Sequence, residues 1–360
     1  MSKKKLIFLV SNDLETDQRM QKICTALSTD FDVHIWGRAL PSSTRLKSRV
    51  YQQKYFQFWF NKGKLFYLEM NLRFFLALLF SKADIISAVD VDTLIAAYYS
   101  AKWKGKSLVF DAHEYYSEVP ELIGRIKEQG IWKKVENIII PKIKYAYTVN
   151  QSLANIFKDQ WKTDFKVIRN VPKQTKAVIQ SNDKRTILYQ GAVNDGRGIK
   201  EMMLALKADL SHQFLVLGDG DLLADLKALK KEEGIVNVQF AGKILPEALP
   251  EKTAKAWIGV NLLEHKGLNY YYSLANKFWD YAAAGIPQIC MRFPEYQLLN
   301  EQHEVAVLVD NLEAENLVNA IKQLENEDTY QRLQANCKSL IDANNWEQEA
   351  QKLKEFYSNI

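Results

Sequence analysis

Leu6-Ile7-Phe8-Leu9-Val10-Ser11-Asn12-Asp13 runs five apolar residues into a polar turn. Met20, Ile23, Cys24 and Leu27 then recur at i, i+3, i+4 and i+7, the spacing of an amphipathic helix. Phe31, Val33 and Ile35 alternate with polar neighbours up to Gly37, as a strand does. This β-α-β unit decides how the rest is read. Residues 83–86 and 107–110 read as buried strands around a helical run at 92–103, and Tyr145-Ala-Tyr-Thr-Val149 leads to a helix from Ser152. Alternating strands and helices specify an open parallel sheet covered by helices.

The rhythm breaks at Asn170-Val-Pro172-Lys-Gln-Thr and stays polar through Ser181-Asn-Asp-Lys184, which marks a domain boundary. It restarts at Thr186-Ile-Leu-Tyr189, which meets Gly191 and a helix through Ile199, Met202, Met203 and Leu206. Phe214-Leu-Val-Leu217 meets Gly218-Asp219-Gly220 and a helix through Leu222, Leu226 and Leu229. Further strands are expected at 236–240, 257–263, 287–291 and 305–309. Residues 313–358 are nearly all helical in pattern, with Trp346, Ala350 and Leu353 on a final amphipathic helix. The chain therefore reads as two doubly wound α/β lobes.

Composition agrees. The 360 residues are 47% hydrophobic and 25% charged, which excludes wholesale disorder, collagen and coiled coil, and the length suits two domains. Cys24, Cys290 and Cys337 stand far apart with no metal-type spacing, so a disulfide framework is not expected and a reducing compartment fits. The five apolar positions near the start are too few for a signal-peptide core. Charge is uneven: residues 1–172 hold 27 Lys or Arg against 17 Asp or Glu, whereas 173–360 hold 21 against 26. A basic first half suits an anionic partner, or simply a solvated basic surface.

Four motifs carry candidate chemistry. The turn Ser11–Arg19 enters a helix, where unpaired N–H groups suit an anion or sugar hydroxyls, and where Thr16 or Asp17 equally suits a helix cap. It lacks GxGxxG, against a dinucleotide fingerprint. Asp111-Ala-His113-Glu114 follows a strand, at the edge where parallel sheets gather ligands. Gly191-Ala-Val-Asn-Asp-Gly-Arg197-Gly198 and Gly218-Asp-Gly220 are glycine loops that let backbone approach a phosphate, or are plain turns. Ser273-Leu-Ala-Asn276-Lys277-Phe-Trp-Asp280-Tyr-Ala-Ala-Ala-Gly285-Ile-Pro287 would open a helix, presenting N–H groups and Lys277 to phosphate oxygens. Asp280 sits one turn on, where it can accept ribose hydroxyls.

Together these motifs resemble retaining GT-B glycosyltransferases of the family 4 type (group 1), over essentially the whole chain. The resemblance rests on Asn12-Asp13 with Thr16-Asp17-Gln18-Arg19, Phe110-Asp-Ala-His-Glu114, Ile168-Arg-Asn-Val-Pro172, Gln190-Gly191 with Gly196-Arg-Gly198, and the 273–287 segment. It implies a GT-B fold, two Rossmann-like lobes facing a central cleft: an acceptor-binding lobe at 1–172, a nucleotide-sugar-binding lobe at 183–343, and a helix at 344–360 crossing back to the first. A hinge would lie in 170–184. The implied activity is sugar transfer from a nucleotide sugar, a UDP- or GDP-sugar, to a glycan or lipid-linked acceptor hydroxyl with retention. It would be hexosyltransferase chemistry in cell-surface polysaccharide or glycolipid assembly, with no cofactor and no metal. His113 and Glu114 would be catalytic. Gly191, Arg197, Gly198, Gly218, Tyr272, Ser273, Asn276, Lys277 and Asp280 would hold the donor, and Asn12, Asp13, Arg19 and Asp92 the acceptor. The family's phosphate-contacting Lys falls on Arg197, its ribose Glu on Asp280, and its donor-sugar His on His113. Two positions depart from the pattern: Tyr272 stands where the family often has Glu, and Ala192 where it has Arg. A nucleotide-sugar epimerase of the same fold and a non-catalytic sugar-nucleotide-binding component are the alternative readings.

Arg45–Tyr67 interleaves cations with aromatics, and Asn71–Phe80 is apolar but too short to span a bilayer that needs ~20 apolar residues. The stretch suits a peripheral contact with an anionic membrane, on the cytoplasmic inner face, or a strand and buried helix of the first lobe. No nucleic-acid motif accompanies it.

Overall fold

The computed structural model describes residues 3–40, 43, 45–174 and 185–360. Most of the polar linker, residues 175–184, and with it most of the expected hinge, lies outside the described residues. The chain divides into two units: the first is Met1–Asn170 with Gln348–Ile360, the second Val171–Glu347.

In the first unit seven parallel strands are β1 (Lys5–Leu9), β2 (Asp32–Arg38), β3 (Gln52–Phe56), β4 (Ile85–Val89), β5 (Ser107–Ala112), β6 (Tyr145–Thr148) and β7 (Phe165–Val167). Their spatial order is β3-β2-β1-β4-β5-β6-β7. In the second unit six parallel strands are β8 (Thr186–Gln190), β9 (Gln213–Leu217), β10 (Val238–Gly242), β11 (Ile258–Asn261), β12 (Gln288–Met291) and β13 (Ala306–Val309), ordered β10-β9-β8-β11-β12-β13. Each order reverses once, between β1 and β4 and between β8 and β11. At such a reversal the connecting helices leave in opposite directions, so a crevice opens outside the strands' carboxyl ends.

Several boundaries differ from the sequence reading. The run at 92–103 is a helix from Asp90 to Lys104, because β4 ends at Val89 and the chain turns straight into the helix. Residues 313–358, helical in pattern, form three helices. Asn326 separates Ala314–Glu325 from Glu327–Ala343, its side chain accepting from the Thr329 N–H, and Asn344-Asn345 precede Trp346–Ser358. Of Arg45–Tyr67, only Gln52–Phe56 is strand, and the aromatics Phe56, Phe58 and Phe66 pack inward against one another and Phe74. They offer no surface.

The helix Trp346–Ser358 closes the core of the first unit. Tyr357 is buried, its ring 6.0 Å from those of Phe8 and Phe31, and its hydroxyl lies 3.1 Å from Ser87 Oγ on β4. Glu349 accepts the Arg169 N–H at 2.8 Å. Tyr357→Ala is expected to cost the first unit about 3–5 kcal/mol, the usual loss for a fully buried aromatic. Chemical denaturation followed by circular dichroism checks this; an unchanged midpoint contradicts it.

Candidate functional site

At the carboxyl edge of the second sheet, loops close on one another backbone to backbone. Gly218 has φ 156°, and a Cβ there would lie 1.8 Å from the carbonyl oxygen of Gly191. Gly198 has φ 66°, and its Cβ would meet the Leu262 carbonyl oxygen at 2.5 Å. Only glycine permits either contact. The Gly191 N–H donates to Leu217 O and the Gly218 N–H to Gly242 O, so the loops after β8 and β9 are tied to the sheet.

Tyr281 positions the helix Asn276–Ala283 above this edge. Its hydroxyl accepts the Gln190 N–H and lies 3.2 Å from the carbonyls of Leu188 and Val260, bridging β8 and β11. A side chain at Gly259 would strike the Tyr281 ring at 2.3 Å. The helix start, at Ala275, has no side-chain cap.

Two cations converge there. The Lys277 side chain is buried, with its ammonium 3.7 Å above the Tyr189 ring, and the Arg197 guanidinium lies 4.7 Å above the Tyr270 ring. Among the described residues neither makes an ion pair, and Arg197 Nε is buried without a hydrogen bond. Burial, reinforced by the Arg197 charge, holds the Lys277 pKa well below the ordinary lysine value. Tyr189 itself is fixed by donating to Ala192 O at 2.5 Å. A cation above an aromatic face in an apolar setting is attracted to the ring and poised for an anion.

Asp280 lies on the same helix, three residues beyond Lys277. Its Oδ2 accepts from Gln190 Nε2 at 3.0 Å, and Gln190 Oε1 accepts from the Thr253 hydroxyl at 2.7 Å. Sequence reasoning quoted Gln190 only within the Gln190-Gly191 motif and gave it no role, and it did not pick out Thr253. A buried glutamine at a strand end was the available signal, and only register shows that it meets Asp280. Ser273 donates to Tyr270 O within its turn, Asn276 is exposed, and Tyr272 packs edge-on against Tyr271.

The first unit gathers a different chemistry at its own reversal. Asp111, fully buried at the end of β5, accepts from Arg19 Nη2 at 3.2 Å and from the Tyr147 hydroxyl at 2.7 Å, and lies 3.0 Å from His113 Nε2. Burial pushes the Asp111 carboxyl up, but His113 and Arg19 outweigh it and hold its pKa below the ordinary value. Asp90, at φ 58°, occupies the left-handed region that a non-glycine residue adopts at a cost. It accepts the His113 N–H at 2.8 Å and lies 3.8 Å from His113 Nδ1. Burial and the nearby Glu114 and Asp92 charges push the Asp90 carboxyl well up. Asp92 is buried, its Oδ1 has no hydrogen bond among the described residues, and burial raises it to about 6.

Asp13 is committed to its own loop. Its carboxylate accepts from Ser43, from the Tyr55 hydroxyl at 2.7 Å and from the Glu15 N–H at 2.8 Å. Asn12 is exposed, and its carbonyl accepts the Arg38 N–H. Asp17 caps the helix Gln18–Leu27 by accepting from Met20 N. The structure therefore brings Arg19, Asp92, His113 and Glu114 to one carboxyl edge around Asp111, named in its motif without a role, and Asp90, which the sequence reading did not single out.

Comparisons fit this geometry. Residues 184–327 match the family described as glycosyl transferases group 1. A comparison with curated proteins finds no match. Among solved structures the chain is similar to sucrose-phosphate synthase from Thermosynechococcus elongatus, at 16% identity and TM-score 0.80, covering 99% of this chain and 98% of that one. It is also similar to Anabaena HepE in complex with UDP, at 14% identity and TM-score 0.75, covering 99% and 100%. WaaG, a glycosyltransferase involved in lipopolysaccharide biosynthesis, matches at 14% identity and TM-score 0.73, covering 97% and 98%. The fold is GT-B. The group 1 match falls within the second unit.

The raised Asp92 pKa makes a stability statement. A carboxyl raised from its ordinary 3.8 to about 6 contributes stability that is complete below the unfolded value and is lost as pH rises through about 6. Asp92→Asn is therefore expected to stabilise the first unit by about 2–3 kcal/mol at pH 7.5 and by little at pH 4. Urea denaturation at both pH values checks this, and equal shifts at the two would contradict it.

Proposed function

We propose that the chain transfers a sugar from a nucleotide-sugar donor, a UDP- or GDP-sugar, to an acceptor hydroxyl with retention of configuration. The observation that carries this reading is the pair Lys277 and Arg197: two cations without an ion-pair partner among the described residues, at a glycine-lined crevice. A diphosphate supplies the missing anion, and charge-assisted hydrogen bonds from both cations would stabilise it as it departs. Asp280, held by Gln190, would accept ribose hydroxyls. The acid-rich cluster of the first unit repels a diphosphate but suits sugar hydroxyls, which donate to carboxylates; His113 and Glu114 would act on the donor sugar there, and Arg19 and Asp92 on the acceptor. Catalysis would be positioning and electrostatic stabilisation, without metal or cofactor.

The printed ligands of similar structures support the donor class: HepE is described with UDP-glucose, and an E. coli trehalose-6-phosphate protein with UDP-2-fluoro glucose. WaaG's stated role in lipopolysaccharide biosynthesis supports a glycan or lipid-linked acceptor in cell-surface polysaccharide or glycolipid assembly. An epimerase would alter the donor without an acceptor, and a non-catalytic component would bind without turnover. NMR of a donor panel, with and without acceptor glycans, separates the three.

Two outcomes follow from the site. A bound diphosphate favours the charged form of Lys277 and so should raise its lowered pKa: complex formation takes up protons over the pH range where that group titrates, and affinity falls as pH rises through it. Calorimetry in two buffers of different ionisation enthalpy reads this; Lys277→Met should abolish the uptake and weaken binding about tenfold to hundredfold. A Lys277→Met variant that binds the diphosphate like the folded wild type would remove Lys277 from the phosphate site. Asp280→Ala should weaken donor binding by a similar factor, and a 2′-deoxy donor should discriminate wild type from variant far less than the parent donor does. Asp280→Glu should retain binding. If Asp280→Ala binds both donors like the folded wild type, the ribose assignment fails.

A further inference from the structure

The helix Gly63–Leu79 is apolar on both of its faces. Phe66, Met70, Phe74 and Leu78 point into the core, while Leu65, Leu68, Leu72, Leu76 and the following Phe80 face outward. Their exposure is large: Leu68 67%, Leu72 55%, Phe80 88%. The spacing of 3, 4, 4 and 4 residues places them in a single stripe about 22 Å long. Its outward aim is fixed from inside. Buried Asn71 donates to Asp92 O at 2.7 Å and accepts the Ala96 N–H at 2.9 Å, so the helix cannot roll to hide the leucines without breaking both bonds. Trp103, on the neighbouring helix Asp90–Lys104, is 77% exposed and packs on Phe75, which widens the patch. Trp59, 84% exposed, adjoins the start of the helix with the Arg73 guanidinium 4.7 Å from its ring.

We propose that this face docks on an anionic lipid surface. A helix apolar all round is stable only when both faces are covered, and charge identifies the cover. Residues 59–84 and 99–106 carry seven Lys or Arg against two acids, Glu69 and Asp84. Both acids are already engaged: Glu69 accepts from the Trp59 and Phe60 N–H groups and pairs with Arg73, and Asp84 pairs with Lys106. The helix end beneath Phe80 is satisfied too, because Lys104 donates to Leu78 O and Leu79 O. Leucines flanked by tryptophans and cations match the depth profile of an interface, where acyl chains take the apolar stripe and headgroups take the charge. A second copy of this chain would bring an equally basic rim against the first, and like charges oppose that. The inference does not depend on the transferase reading. It keeps Trp59 and Leu65 of Arg45–Tyr67 in the contact surface and moves the rest of it to the outer leucines, since Phe56, Phe58 and Phe66 pack inward.

Co-sedimentation of the full chain with vesicles of phosphatidylcholine alone, or with 30% phosphatidylglycerol, tests it. Wild type should bind the anionic vesicles, more weakly at 0.5 M NaCl than at 0.05 M but not zero, because the apolar part is unscreened. The double variant Leu68→Gln and Leu72→Gln, at exposed positions that leave the fold intact by circular dichroism, should lose about tenfold or more of the partitioning. Wild type that ignores anionic vesicles at 0.05 M NaCl overturns the proposal. So does binding that the double variant leaves unchanged. A wild-type dimer that the variant converts to monomer, with no vesicle binding, would assign the stripe to self-association instead.

Discussion

A parallel sheet whose strand order reverses must open a crevice at its carboxyl edge, because the helices on either side of the reversal cannot both cover it. Both units obey this constraint, at β1/β4 and β8/β11, and nearly every chemically interesting side chain follows from it. Asp13, Asp90, Asp111 and His113 stand at strand ends of the first unit because β1, β4 and β5 stop there. Gly198 and Gly218 are forced in the second because loops from neighbouring strands approach to backbone distance.

The two crevices carry opposite charge, and each opposes the charge of its half of the chain. The first half is basic overall, yet its crevice is built on Asp90, Asp92, Asp111 and Glu114. The second is acidic overall, yet its crevice holds Arg197 and Lys277. Half of the basic excess of the first half lies instead around the outer leucine stripe of Gly63–Leu79. Net charge by segment therefore says little about a site. The strained backbone of Asp90 and the raised carboxyls of Asp90 and Asp92 indicate a cluster held against its own preference, as sites held for ligands often are.

Much of this was legible in the sequence. Runs of apolar residues ending in polar turns located the strands, and the spacing Lys277–Asp280 placed both on one helical face. What escaped was whatever depends on register between distant segments. Gln190 and Asp280 meet only because Tyr281 pins its helix across β8 and β11. Asp111 reads as a neighbour of His113 in sequence, but its grip on Arg19 and Tyr147 is tertiary. Within 313–358 the break between Ala314–Glu325 and Glu327–Ala343 was not read, because periodicity is blind to an asparagine cap such as Asn326. In Gly63–Leu79 apolar residues occupy every face, so no pattern tells inside from outside; Asn71 alone, by its hydrogen bonds, decides.

The central claim is that the second unit's crevice selects a diphosphate. Titration calorimetry of the chain at pH 7 with uridine and guanosine, each against its diphosphate, tests it most directly. The account requires that at least one diphosphate bind about a hundredfold or more tighter than its nucleoside, since two charge-assisted contacts of about 1.5–3 kcal/mol each are at stake. Nucleosides that bind as tightly as their diphosphates would contradict it.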